Sequence, residues 1–302
     1  MSAQFHCRMQ LQIRDGVFRP GLKTRIYLPI PCACEAQSEL QIVRTIPTPT
    51  AVSPEGAPQR VVFWEESMEE NHPFSVEFSY VQTARYICLS DAKPDLWQPA
   101  FDTEEEPPHI LFTPTIRALE QTLSAGTDNP LEKARRFYEF ITKGVHYSYM
   151  RAYFGIENLS EYCARNLTGD CGVQALLFIT LCRRAGIPAR MQGGWRAEPE
   201  KCSSHDWAQF YISPFGWLYA DLSFGGAAYR AGAWKRWRHY FGNLDPHQMV
   251  SNTHFQAQFD MPEDHWRADP YDNQCGEAET AERGLLDDEF DTTREILEYQ
   301  EL

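Results

Sequence analysis

Between Cys171 and Ala185 the chain places Val173, Ala175, Leu176, Leu177, Phe178, Ile179 and Leu181 almost all the way round a helix. A helix that is apolar on every side must be covered on every side, so it is expected at the centre of its domain. Its ends are marked as well. Asp170 stands where an N-cap belongs, Arg183 and Arg184 lie at the negative end of the dipole, and Gly186 and Pro188 stop it. Upstream, Asn129-Pro130-Leu131-Glu132 joins a capping Asn, a Pro in the first turn and a Glu at the third helical position. Leu131, Ala134, Phe137, Tyr138 and Ile141 then share one face, and Gly144 ends that helix.

The first hundred residues follow a different period. Alternation runs through 5–13 and returns at 25–28, 40–43, 61–64 and 74–80, with Gly- and Pro-bearing turns between the runs. Short alternating strands of this kind predict an antiparallel β-sandwich over residues 1–100. The charged, then proline-rich stretch Asp102 to Pro108 reads as a linker, placed at 101–112. A core domain is expected over 113–270 and an acidic tail over 271–302. From Glu277 to Leu302 there are ten acids and two arginines. That tail is expected to be solvated and partly helical, with two turns over Thr292 to Tyr299. The fold class is α+β.

With 302 residues the chain can bury a full core without disulfides or metal. No run of eighteen apolar residues occurs, so no membrane association is expected. The first residues lack the layout of a signal peptide, which predicts a cytoplasmic location. A net charge of −14 argues against nucleic-acid binding, which needs basic patches. The nine cysteines have no regular spacing. Cys32-Ala33-Cys34 and Cys202-Ser203-Ser204-His205 each lack the second Cys/His pair of a zinc site, so no metal and no cofactor is expected.

Cys171 is the cysteine with a chemical position. A helix start offers unpaired N–H groups and the positive end of the dipole, which favour a thiolate and suit an oxyanion. Asp170 works against this by like charge. His205 opens a strand, and Asp221 follows in the next strand of a hairpin turned by Ser213-Pro214-Phe215-Gly216. A carboxylate on one imidazole nitrogen fixes the tautomer and steadies the imidazolium. A plain four-residue turn would set Ala208 opposite Asp221 and send His205 to the other face. A triad therefore requires a bulge or an odd-length loop between 209 and 218.

Several blocks then carry a family resemblance. Thr168-Gly169-Asp170-Cys171-Gly172, the run Leu181 to Arg190, Gly193-Gly194, His205-Asp206-Trp207-Ala208 and Gly216 to Asp221 resemble the core of the transglutaminase-like superfamily over about residues 125–225. The resemblance implies a papain-like core, a central helix on an antiparallel sheet, with Cys171 as nucleophile, His205 as base and Asp221 as orienting group. Tyr147 and Tyr149 are the candidates it leaves for an oxyanion or substrate-binding role. Trp207, beside His205, reads equally as a wall of the substrate cleft or as an aromatic packed at the sheet. The β-rich first hundred residues resemble the N-terminal domain of bacterial members. Tyr240 to Asp245 and Asp269 to Gln274 look like a bacterial branch and have no assigned role. The implied activity is thiol-dependent hydrolysis of an amide in a protein or peptide substrate. Acyl transfer to an amine is the alternative chemistry, and a binding module that keeps the fold is the alternative class. Oligomeric state is left open.

Overall fold

The computed structural model describes residues 1–150, 152–267 and 271–302. The first part of the chain forms β1 (Ser2–Ile13), β2 (Lys23–Pro29), β3 (Gln37–Ile46), β4 (Ala51–Val52), β5 (Val61–Ser67) and β6 (Phe74–Thr83). Then come α1 (Pro114–Ser124), α2 (Pro130–Gly144), β7 (His146–Tyr147), α3 (Leu159–Asn166), β8 (Thr168–Gly169) and α4 (Cys171–Arg184). The remainder forms β9 (Ala189–Glu198), β10 (Lys201–Ile212), β11 (Gly216–Ala220), α5 (Leu222–Arg230), α6 (Trp234–His239), β12 (Gln248–Asn252), β13 (Glu277–Thr280) and β14 (Phe290–Glu301). No helix among the described residues is long and apolar enough to cross a membrane.

All five alternating runs of the first hundred residues are strands, and β1 shows why. Phe5, Cys7, Met9, Leu11 and Ile13 are buried, while the residues between them are not. Strand β1 pairs antiparallel with β6 on one side and β14 on the other, in a sheet ordered β14-β1-β6-β3. A second antiparallel sheet is ordered β13-β2-β5-β4. Both sheets contribute to one apolar core, with Phe5, Met9 and Phe78 from the first and Ile26, Leu28 and Trp64 from the second. Burying one face of each sheet is what holds such an assembly together.

The expected domain boundaries are replaced by a discontinuous division. One unit consists of Met1–Ala84, Gly193–His205 and Asp245–Leu302, and the other of Arg85–Gln192 and Asp206–Leu244. The expected linker belongs to the second unit. Arg183 donates to the Glu104 carbonyl and pairs with Glu106, and His109 is buried. The expected helix over Thr292 to Tyr299 is instead the middle of β14. There Thr293 lies opposite Gln10 and Tyr299 opposite Phe5, and the acids meet cations through Arg8–Glu295 and Arg14–Asp291. Pairing with a strand almost three hundred residues away overrides the local helical pattern. The tail is thus part of a sheet.

In the second unit α4 is central, as its all-round apolar surface requires. Every residue from Gly172 to Arg183 is buried. Its cap is the expected one, with Asp170 accepting from the Val173 N–H at 3.1 Å. Asn129 caps α2 in the same way. The segment Tyr240 to Asp245 has a structural role. The Gly242 N–H donates to the Tyr219 carbonyl, the Asp221 N–H to the Tyr240 carbonyl, and Leu244 pairs with Arg85. In the block Asp269 to Gln274, Asp269 and Pro270 lie outside the described residues. Asn273 is a buried clamp in the first unit, its side chain reaching the Tyr27 carbonyl and the Gly276 N–H.

Candidate active site

The site is built at the start of α4. Cys171 is its first residue and is partly exposed. Asp170, just outside the helix, has extended backbone, and its Oδ1 takes both the Val173 N–H and the Tyr153 hydroxyl, the latter at 2.5 Å. Tyr153 lies in a single 3₁₀ turn, Tyr153–Gly155. Gly172 permits a close approach, because a Cβ there would sit 2.4 Å from the Tyr153 hydroxyl and 3.0 Å from Asp206 Oδ2. The helix start is therefore packed between a phenol and a carboxylate.

The Cys171 thiol donates to Asp206 Oδ2 at 3.6 Å. Asp206 is buried, and its carboxylate sits at the positive end of the helix dipole. This changes the electrostatics expected of a helix-start cysteine. Desolvation pushes the thiol well above the ordinary cysteine range, and the negative charges of Asp206 and then Asp170 push it further. A hydrogen bond from the Asp206 backbone works in the opposite direction, and Asp221 adds a smaller upward push. Burial and the two carboxylates thus oppose the helix-start effect at this thiol. Tyr147, in β7, reaches the Cys171 side chain with its own, and burial first and the nearby thiol next push its phenol upward.

The hairpin has the odd loop that the triad requires. Ile212 pairs with Gly216, leaving Ser213, Pro214 and Phe215 as a three-residue loop, and Ala208 lies opposite Ala220 rather than Asp221. Asp221 is buried and ends β11 by capping α5. Its Oδ1 accepts from the Phe224 N–H at 3.0 Å and from the Ser223 hydroxyl at 3.3 Å. His205 is 4% exposed, and its carbonyl accepts from Gln274 Nε2 at 3.5 Å.

Of the two readings of Trp207, its burial agrees with the packed aromatic. It is 0% exposed, and its indole N–H donates to Gln192 Oε1 at 3.0 Å. Tyr149 is 90% exposed, whereas Tyr147 is the candidate tyrosine placed at the thiol. Sequence reasoning missed Asp206 and Tyr153. Asp206 carried a signal, a carboxylate inside the His205-Asp206-Trp207 block. Tyr153 carried none, because a 3₁₀ turn has no period to announce it.

Residues 117–222 match the family Transglut_core, the transglutaminase-like superfamily. No curated protein matches the chain. Among solved structures, a putative cysteine protease from Cytophaga hutchinsonii is similar with a TM-score of 0.54 at 14% identity, covering 100% of this chain and 92% of that one. That likeness establishes the α+β fold. The periplasmic domain of TgpA from Pseudomonas aeruginosa is similar with a TM-score of 0.39 at 14% identity, covering 74% of this chain and 88% of that one.

Proposed function

We propose that this chain, whose residues 117–222 form a transglutaminase-like superfamily core, hydrolyses amide bonds in a protein or peptide through an acyl-enzyme on Cys171. One observation carries the reading. Cys171 is the first residue of the buried central helix, partly exposed, with backbone N–H groups of the first turn beside it. The Cytophaga hutchinsonii protein, similar in fold, is named as a putative cysteine protease, which agrees with a thiol chemistry.

His205 is proposed as the base and Asp221 as the group that orients it. As Sγ attacks the carbonyl carbon, the imidazole takes the thiol proton and the carbonyl π pair moves to oxygen, facing the helix N–H groups. Collapse breaks the C–N bond, and the amine leaves with the imidazolium proton. Water then adds to the thioester, gives its proton to the imidazole and releases the acid and the thiol. The three-residue hairpin loop is the odd-length loop that a role for Asp221 requires. The partial exposure of Cys171 favours hydrolysis over transfer, because water reaches an acyl group held there.

An electrophilic amide or acyl probe tests this, with labelled peptides mapped by mass spectrometry. Selective labelling of Cys171 over the eight other cysteines is expected. Labelling elsewhere at comparable rate, with Cys171 unmodified, contradicts the proposal.

A further inference from the structure

Between Asp221 and Asp245 the chain carries four Lys or Arg, one His and no acid, although its net charge is −14. With 42 acids to 28 Lys and Arg, carboxylates are available to pair most cations. Yet among the described residues Arg230, Lys235 and Arg238 of this stretch, and Arg135 of α2, form no ion pair. Their neighbours Arg136 and Lys143 are held by Glu132 at 3.0 Å and by Glu139 at 2.6 Å. We propose that these unpaired cations form a subsite for acidic side chains of the peptide substrate, at some distance from the reacting bond. The proposal deepens the reading of Cys171 as a peptide hydrolase and rests on it.

The cations share one face. Arg135 and Arg238 wall a cavity of about 110 Å³ that Tyr138, Trp237 and Phe241 line with their rings. The Arg135 guanidinium lies 4.9 Å from the Phe241 ring centre, which holds it in place. Lys235 stands three residues before Arg238 and so on the same side of α6. Arg230 lies beside α2, since a Cβ on Gly226 would meet both its Nη1 at 3.1 Å and the Thr142 carbonyl at 3.4 Å. Glu139 also lines the cavity, but Lys143 neutralises it. A glutamate-sized side chain fits such a space, with its methylenes on the rings and its carboxylate between the two guanidinium groups. The face is tied to the thiol through α2. Lys143, 5.0 Å from the Trp237 ring centre, is four residues from Tyr147, whose side chain reaches Cys171. Four residues span at most about 14 Å. An extended peptide with its carbonyl at Cys171 thus reaches this face with side chains about four to six residues away. A peptide fits better than a bilayer or a nucleic acid. Tyr138 donates to the Trp237 carbonyl at 2.6 Å and the Trp237 indole to the Thr142 hydroxyl at 2.9 Å, so these rings are turned into the fold. Of Tyr138, Trp234, Trp237 and Phe241, only Trp234 is exposed, which is too little apolar surface to enter a membrane or to stack a run of bases.

Two fluorescein-labelled peptides, identical except that one carries glutamates where the other carries glutamines, test this on the intact chain. Binding is read by anisotropy and turnover by kcat/KM, in wild type and in the double variant Lys235→Glu with Arg238→Glu, with thermal melts alongside. Wild type is expected to bind the glutamate peptide about tenfold more tightly, a preference that fades as salt rises. In the double variant the preference should disappear from binding, and from kcat/KM through KM. Equal binding of the two peptides by wild type, or an unchanged preference in a folded variant, overturns the proposal. If the variant unfolds, the wild-type comparison and its salt dependence decide. Tighter binding of phosphatidylglycerol vesicles or of a DNA oligonucleotide than of the glutamate peptide gives the face to another partner and overturns it as well. Anisotropy needs no turnover, so the two readings fail separately. Preferential binding of the glutamate peptide with neither peptide cleaved would remove the functional proposal and keep the subsite. Cleavage of both at equal kcat/KM, with equal binding, would remove the subsite and keep the functional proposal.

Discussion

Helix α4 carries two cysteines in opposite circumstances. Cys171 opens it, partly exposed, with Asp206, Asp170, Tyr153 and Tyr147 about it. Cys182 lies near its end, fully enclosed, and the desolvation of burial alone pushes its thiol up. Both thiols are pushed upward, but by different physics. At Cys182 the cause is the low-dielectric surround of the core. At Cys171 part of the cause is charge, which a proton movement or a single substitution can cancel. A high resting thiol pKa therefore does not separate a structural cysteine from a chemical one. What separates them is whether the groups responsible are titratable and whether the sulfur is reachable.

The sharpest break of that comparison is a pair of alanine substitutions. Cys171→Ala is expected to lower amide turnover by a factor on the order of 10⁴ or more, with little change in melting temperature. Cys182→Ala is expected to spare turnover and cost about 1 kcal/mol of stability through lost packing. Steady-state rates and melts of the two purified variants read both arms, and a reversed pattern would exchange the roles of the two cysteines.

Asp221→Asn comes next in size. Asparagine caps a helix about as well as aspartate, so the α5 start survives and the substitution reports on the imidazole partner alone. Turnover should fall by roughly one to two orders of magnitude less than in Cys171→Ala, because an orienting group forms no bond with substrate. Loss of stability with full activity would assign Asp221 to capping only.

Gly172→Ala probes the crowding at the reactive end. Its methyl would meet the Tyr153 hydroxyl and Asp206, at a cost of about 1–3 kcal/mol by chemical denaturation. Gly186→Ala, just beyond the other end, has no neighbour in the way and only its left-handed backbone to resist it, so it should cost less, about 1 kcal/mol.

A further effect concerns a buried base in the same unit. His109 is pushed down to about 4 by burial, and its Nδ1 accepts from the Leu159 N–H that opens α3. Below its ordinary value the unfolded chain binds a proton that the folded one refuses. Stability is thus full above about pH 6.5 and is lost as pH falls towards 4, by about 1–3 kcal/mol. In His109→Gln the fall of melting temperature across that window should be shallower. An identical slope would mean that His109 takes its proton without unfolding.

Much of this molecule is readable from local patterns, and the failures have one cause. The period-two runs of the first hundred residues, the cap at Asp170 and the stop at Gly186 are decided by neighbours in sequence, and each appears where expected. Cys171 opens α4, as the cap at Asp170 predicts. Thr292 to Tyr299 misled because its Leu, Ile and Glu suit a helix, and only β1 makes it a strand. The discontinuous units are hidden in the same way, since β9 and β10 each carry the boundary inside one continuous strand. The hairpin depended on one residue of loop length, which changes the parity of everything beyond it. Asp206 was overlooked because its importance comes from α4, thirty-five residues away.

The central claim is that the acyl group passes through the sulfur of Cys171. Rapid acid quench of wild-type protein turning over an activated ester or amide, followed by digestion and peptide mass mapping, tests it most directly. The account predicts the acyl mass on the peptide containing Cys171, appearing before product and absent from Cys171→Ala. An acyl mass on another residue, or steady turnover with no covalent species in either protein, would contradict it.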